Sequence, residues 1–470
     1  MGGAAAPLGG GSFVDVFVIF GVSGDLARKM TFPSLYRLEE RGALDFPIVG
    51  VALDDWSTGD LETRMRESVS SQIADAKPSV VDRLGRRLRY VRGDFTSRDT
   101  VDALRSAVGR VHQALVYLEI PPALFAPVIE NLQREPIASE VTYLIEKPFG
   151  HDLASAQALN ERLHRVVDEQ SILRIDHFLG KQPLADLVHL RFANEVLEPL
   201  WRREHVEEIQ VTMAEDFGVE DRGSFYDPVG ALRDVVVNHL LQLLALVLME
   251  PPSRPGADGL WDARVAVLRE MDLIEPSRVV RGQYEGYRSI PGVGADSTTE
   301  TFIALALGVH SWRWDGVPVV VRAGKALPVT ATEVRLVLRR PPRLGALGLP
   351  EHLEANEIIL RIDPDSALRV TLQSLDAEER HLAPVHLDLS FRAELGRSPE
   401  PYEVLFLAAL EGDRARFARE DVVEEAWRIV DPILAHPNPV VPYRRGSWGP
   451  DGVVALTRGH RGFRDPWLGA

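Results

Sequence analysis

Residues 14–20 form a nearly unbroken apolar run, interrupted only at Asp15. A glycine-containing turn follows. Residues 26–38 then place Leu, Met, Phe, Leu and Tyr at helical spacing, so the pattern predicts strand, tight turn, helix. Residues 48–53, 90–91, 114–118 and 141–145 predict further strands with helical stretches between them. Strands alternating with helices predict a doubly wound parallel sheet. Beyond about Asp176 the pattern changes. Residues 208–213, 333–339, 357–362 and 368–373 alternate polar and apolar, whereas 301–307 and 319–322 are more continuously apolar. One long, very apolar helix is predicted over residues 234–249. The expectation is an α/β N-terminal domain over residues 13–175 and an α+β C-terminal domain over 176–470 with a large, mainly antiparallel sheet. Residues 1–12, rich in Gly and Ala, are expected to be a flexible tail.

A chain of 470 residues is too long for one ordinary domain, which agrees with that division. There is no cysteine, so disulfides, zinc thiolate sites and cysteine nucleophiles are excluded. The net charge of -16 argues against nucleic-acid and anionic-membrane partners. It also means that any phosphate ligand must be met by a local cluster of cations. The most apolar run, residues 235–249, is too short for a membrane span and carries Asn238, His239 and Gln242. The first basic residue is Arg28, so the basic start of a secretory leader is missing and a cytoplasmic location is expected.

Candidate chemistry gathers at the predicted strand ends. In the turn Gly21-Val22-Ser23-Gly24-Asp25-Leu26-Ala27 the glycines let backbone approach a pyrophosphate, and the next helix points its N–H groups at an anion. Only two glycines of the full dinucleotide fingerprint are present, and Lys29 lacks the preceding glycine of a P-loop. Residues 117–122, which include Pro121, and the segment Glu146-Lys147-Pro148-Phe149-Gly150 also sit at strand ends, where such sheets bind ligands. Lys147 there is a candidate phosphate or cofactor contact. Arg174-Ile175-Asp176-His177-Phe178-Leu179-Gly180-Lys181 gathers two cations, an acid and an imidazole within eight residues. Pro183 suits a first helical turn and would put Lys181 near a helix N-terminus. On the long apolar helix Asp234, Asn238 and Gln242 recur every four residues beside His239. Buried polar groups need partners, so this stripe must face a site or a network.

These motifs, with Arg322-Ala323-Gly324-Lys325-Ala326-Leu327, Glu425-Ala426-Trp427-Arg428-Ile429 and Gly446-Ser447-Trp448-Gly449-Pro450, closely resemble the glucose-6-phosphate dehydrogenase family. The resemblance runs from about Phe13 to Trp448. It implies a Rossmann-like first domain and a homodimer or homotetramer formed through the C-terminal sheet. The implied activity is oxidation of glucose 6-phosphate at C1 to the 6-phosphogluconolactone, with hydride transfer to NAD or NADP. His177 and Lys181 would hold the sugar phosphate; Glu215 and Asp234 would bond sugar hydroxyls; Lys325 and Lys147 would be further substrate contacts. His239 would be the general base and Asp176 its partner. Gly21, Ser23, Gly24, Asp25, Leu26, Leu53, Asp54, Pro121, Glu146 and Lys147 would line the coenzyme. Phe178 stands where many members have tyrosine, and Thr330 where a second basic residue is frequent.

The chemistry is consistent with these roles. A neutral imidazole can take the hydroxyl proton as the hydride leaves, and a carboxylate on its other nitrogen fixes the tautomer. No metal is needed, because the coenzyme does the difficult step. In coenzyme choice, an acid after the second strand suits a ribose 2′-hydroxyl, whereas a cation suits the 2′-phosphate of NADP. By motif comparison Leu53 replaces the family's arginine and Asp54 and Asp55 follow, which leans towards NAD against a family default of NADP. A relative acting on another aldose phosphate and a catalytically silent nucleotide-binding relative are the alternative readings. Retention of His177 and Lys181 speaks against an unphosphorylated substrate, and retention of His239 and Asp176 against a silent relative.

Overall fold

The first strand is apolar throughout because both of its faces are buried. Strand β1 (Val16–Phe20) sends Val16, Val18 and Phe20 into one hydrophobic cluster and Phe17 and Ile19 into another. The computed structural model describes residues 14–342, 353–376 and 382–469, so the expected tail over residues 1–12 lies outside the described residues. β1 is joined by β2 (Ile48–Ala52), β3 (Leu88–Arg92), β4 (Gln113–Leu118), β5 (Glu140–Ile145) and β6 (Ile172–Arg174). All six are parallel, in the order β3-β2-β1-β4-β5-β6. The order reverses between β1 and β4, the point outside whose strand carboxyl ends doubly wound sheets bind ligands.

Helices Phe32–Glu40, Thr58–Gln72 and Pro78–Arg87 cover one face of this sheet, and a late helix, Pro401–Glu411, packs with them. Arg98–Val108, Phe125–Arg134, Leu153–His164 and a second late helix, Glu420–Ala435, cover the other. Trp427 donates its indole N–H to the Phe149 carbonyl at 3.0 Å and ties the second late helix to the loop after β5.

The second sheet is mixed and mostly antiparallel, as expected. It comprises β7 (Val206–Ala214), β8 (Val279–Tyr284), β9 (Phe302–Leu307), β10 (Val319–Gly324), β11 (Ala331–Leu338), β12 (Glu357–Asp363), β13 (Ala367–Leu375), β14 (Leu382–Ser390) and β15 (Val440–Tyr443). Their order is β14-β13-β12-β11-β7-β10-β9-β8-β15, with β7 and β10 parallel and β8 and β15 parallel. Alternation commonly marks a half-exposed strand. In β11 and β12, however, the polar positions are buried too. Arg335 donates to Glu333 at 2.9 Å and to Glu357 at 2.7 Å, and the C-terminal segment at Asp465 and Trp467 closes over them.

One hydrophobic cluster runs from the first sheet through residues 232–248 to the second sheet. This segment departs from the single α-helix expected over residues 234–249. Leu232–Leu240 is wound as a π-helix, with i→i+5 hydrogen bonds, and only Leu241–Leu248 is α-helical. The helix after the glycine turn also begins π-wound, over Ala27–Thr31, before the α-helix Phe32–Glu40. Among the described residues no helix is long and apolar enough to cross a membrane.

Candidate active site

At the end of β1 the backbone turns through Gly21, whose φ is +88°, a conformation that side chains disfavour. A Cβ on Gly21 would lie 2.2 Å from the Glu119 carbonyl oxygen, so the turn closes only around glycine. Gly24 N–H donates to Gly21 O at 2.9 Å. Asp25 is exposed and pairs with Arg28 at 3.3 Å and Lys29 at 3.4 Å. Leu53, just past β2, is 61% exposed. Asp54 and Asp55 follow it, and Asp55 accepts from Arg92, at the end of neighbouring β3, at 2.6 Å.

Glu146 departs from the expected coenzyme contact. Its carboxyl is buried and accepts hydrogen bonds from Tyr117 Oη at 2.7 Å and from Tyr402 Oη, on the late helix, at 3.0 Å. Burial pushes it up to about 7, against the pull of the two hydroxyls and Lys147. The side chain ties a distant helix to the sheet and is not offered to the crevice. Lys147, the next residue, does reach the site.

His239 and Asp176 are each 3% exposed and meet through His239 Nδ1 and Asp176 Oδ1 at 2.6 Å. Asp176 Oδ1 also accepts the Phe178 N–H at 2.9 Å. On the other side of the ring, His239 Nε2 lies 3.1 Å from Lys147 Nζ, which also donates to Asp234 Oδ1 at 3.0 Å. These partners assign the tautomer. An ammonium can only donate, so Nε2 accepts; Nδ1 carries the proton and gives it to Asp176. Burial and then the Lys147 ammonium push His239 well below the usual imidazole range, so the ring is a neutral base. Burial also pushes Asp176 up, opposed by His177 and Lys147.

The π winding makes this arrangement. Residues five apart on an α-helix point about 140° away from each other. With i→i+5 bonds, Asp234 and His239 come nearly one above the other, and a single ammonium meets both.

The remaining predicted residues surround this centre. The His177 ring lies edge-on to His239 at 4.5 Å, and burial, then His239 and Lys147, depress its pKa. Phe178 stacks on His239 at 4.7 Å, and Lys181 Nζ lies 4.0 Å from the Phe178 ring centre. Lys181 pairs with Asp363 at the end of β12. Lys325, after β10, pairs with Glu215, after β7, because these two strands run parallel and end together. Thr330 bonds Asp216 at 2.5 Å and caps that turn. So each lysine of the cleft stands on a carboxylate: Lys147 on Asp234, Lys181 on Asp363, Lys325 on Glu215. Burial alone would raise Asp234, yet Lys147 holds it below the usual carboxylate range. The sequence reading missed Asp363, which is 182 positions from Lys181 and carries no local signal. It also missed Tyr117 and Tyr402 as the partners of Glu146.

His239 should stay neutral near pH 6.5, where a free imidazole is about half protonated. Lys147→Met should move its titration to higher pH, because a cation 3.1 Å from Nε2 is removed. NMR of the histidine-labelled protein, assigned with His239→Asn, reads both. A wild-type ring half protonated above pH 6.5 would contradict this electrostatic account.

Two family models match the chain: the glucose-6-phosphate dehydrogenase NAD binding domain over residues 18–185 and the C-terminal domain of the same family over residues 188–465. The chain is 53% identical to glucose-6-phosphate 1-dehydrogenase 1 of Mycobacterium tuberculosis, over 98% of each sequence. It is 35% identical to the cytoplasmic isoform of Solanum tuberosum, over 92% of this chain and 89% of that one. The crystal structure of the Mycobacterium avium glucose-6-phosphate 1-dehydrogenase superposes with a TM-score of 0.89 at 50% identity, covering 97% of this chain and all of that one. A glucose-6-phosphate dehydrogenase in complex with glucose 6-phosphate superposes with a TM-score of 0.90 at 32% identity, covering 98% of this chain. With both halves of its sequence matched and its fold shared from end to end, the chain belongs to the glucose-6-phosphate dehydrogenase family.

Proposed function

We propose that this chain oxidises C1 of glucose 6-phosphate to the 6-phosphogluconolactone, the first step of the oxidative pentose phosphate pathway. The carrying observation is a neutral buried imidazole, oriented by Asp176, whose unprotonated Nε2 accepts from Lys147 with Lys181 and its neighbours close by. The glycine turn after β1, at the carboxyl end beside the reversal of strand order, fits the position where such sheets hold a dinucleotide pyrophosphate. A bound nicotinamide dinucleotide supplies the hydride acceptor. His239 Nε2 takes the C1 hydroxyl proton, and Lys147 yields that nitrogen as the hydroxyl arrives. Asp176 keeps the proton on Nδ1 and stabilises the imidazolium that forms. Lys181 and His177 hold the phosphate. Phe178 gives the phosphate no hydroxyl, but its ring braces both His239 and Lys181. Asp234, Glu215 and Lys325 bond the sugar. The cytoplasm is the proposed compartment, since a doubly charged sugar phosphate does not cross a bilayer unaided.

His239→Asn should lower turnover by ~10² to 10⁴ with little change in substrate affinity. Lys181→Ala should chiefly raise the KM for glucose 6-phosphate. Steady-state kinetics separate the two effects. Normal turnover in His239→Asn, or an unchanged KM in Lys181→Ala, would remove that residue from its role.

NAD is the proposed preferred coenzyme. Leu53 offers no charge, Asp54 and Asp55 repel a 2′-phosphate, and Asp55 engages Arg92, the cation on the adjoining strand end. Asp55→Ala should therefore release Arg92 and shift kcat/KM towards NADP. A wild-type enzyme that already prefers NADP would overturn this assignment.

A homo-oligomer formed through the end of the second sheet completes the reading. Val370, Leu372, Val385, Leu387 and Leu389 line one face of β13 and β14, and Leu387 is 62% exposed. Such an apolar strip suits a second copy of the sheet. Leu387→Asp should shift the protein towards monomer in sedimentation experiments; an unchanged assembly would place the interface elsewhere.

A further inference from the structure

Every lysine of the catalytic cleft stands on a carboxylate. Two arginines elsewhere stand on none, and they line the same cavity. It lies between helix Gln182–Phe192, helix Gly256–Arg269 and the loop that joins the two late helices, and its volume is about 190 Å³. None of Lys147, His177, Lys181, His239 and Lys325 borders it, so it is a separate space. Most of its wall is apolar. Leu179 and Leu184, to either side of Lys181 in the chain, face it together with Leu246 and Leu260. His189 and Asp413 are exposed, so the cavity opens to solvent at their end.

The first arginine, Arg264, is wholly buried. Its Nη2 donates to Gln242 Oε1, while its Nε and Nη1 hydrogens have no protein acceptor. The second, Arg416, is partly buried with its Nη1 enclosed, and its guanidinium makes no hydrogen bond or ion pair among the described residues. Asp413 is the one carboxylate on the wall; it accepts the Ala415 N–H at 3.0 Å and pairs with neither arginine. A guanidinium keeps its proton, and burying one without a counter-ion is costly. Water can take up the free hydrogens but supplies no opposite charge.

The wall describes its occupant. Two unpaired guanidiniums call for an anion, and their planar forks match a carboxylate. The leucines call for an apolar body. A closed apolar cavity of about 150 Å³ holds a benzene ring. The present one therefore admits a single ring or a short branched chain with its carboxylate, and is too small for a dinucleotide. Inorganic phosphate answers the charge but leaves the apolar wall unfilled and brings a second charge against it.

We propose that this cavity is a binding site for a small apolar monocarboxylate, an aromatic or short branched-chain acid. Arg264 and Arg416 hold the carboxylate, and the apolar end lies on Leu184, Leu246 and Leu260. The site goes beyond the proposed reaction and does not rest on it.

The test uses 4-fluorobenzoate and the full-length protein, with binding read by 19F NMR. Wild type should bind it saturably with a Kd of about 1 mM or tighter. 4-Fluorobenzyl alcohol has nearly the same shape without the charge, and should bind about 10-fold more weakly or worse. Arg416→Met should weaken 4-fluorobenzoate by about 10-fold. Ala415→Phe, which places a ring at the cavity wall, should abolish binding. Glucose 6-phosphate should not displace the probe, whereas a carboxylate resting on Lys181 or Lys325 would be displaced. In crystals soaked with 4-bromobenzoate, the anomalous signal of bromine should lie beside Leu246 and Leu260. No saturable binding, equal binding of acid and alcohol, displacement by glucose 6-phosphate, or a bromine found only elsewhere would overturn the proposal. Should either variant fail to fold, the acid–alcohol comparison and the bromine position, both measured on wild type, still decide it.

Discussion

The segment through residues 232–248 crosses the core between two sheets, and it cannot do so with apolar side chains alone. It carries an acid, an amide, an imidazole and a second amide into a medium where an unpaired polar group is costly. Each finds a partner: Asp234 in Lys147 at the end of β5, His239 in Asp176 after β6, Gln242 in Arg264, and Asn238 within its own helix. The site therefore follows from satisfying a buried helix, with the partners of Asp234 and His239 supplied by strand ends of the first sheet. Because the partners come from separate elements, the helix also fixes how the two sheets sit on each other.

Much of this was legible in the residues. A strand buried on both faces shows as an unbroken apolar run, so β1 and its parallel neighbours could be read directly. The motif around Asp176, His177 and Lys181 concentrates charge over a few positions, which few structural segments do. The stripe on the apolar helix announced a network without naming its members. What stayed hidden was long-range or geometric. Asp363 and Arg264 are ordinary charged residues until the fold brings them to Lys181 and Gln242. Glu146 lies in a motif that suggests a ligand contact, but two tyrosines claim it, one of them 256 positions away. The π winding leaves no trace in an apolar periodicity, since apolar residues surround most of the helix and the few partly exposed positions, Arg233, Asp234 and Asn238, are too sparse to mark the turn.

The return of helices Pro401–Glu411 and Glu420–Ala435 to the first sheet has the same character. Neither is read as a helix from the sequence, and nothing local in either segment says which sheet it covers. Once placed, they explain why Glu146 is inward and why Trp427 is buried. The coenzyme crevice is thus braced by a part of the chain far from it in sequence.

The pairing of every cleft lysine with a carboxylate has a consequence for how ligands arrive. A site built from unpaired cations would draw anions from a distance and weaken sharply in salt. Here the cleft is nearly neutral at range, on a chain of net charge -16. A sugar phosphate is repelled by the net charge at a distance and attracted only at short range, where its phosphate takes the place of Asp363 on Lys181. Added salt screens the repulsion first, so the encounter is gated by short-range exchange and is poorly suited to scavenging a dilute anion. Such a cleft matches a ligand that is abundant where the protein works.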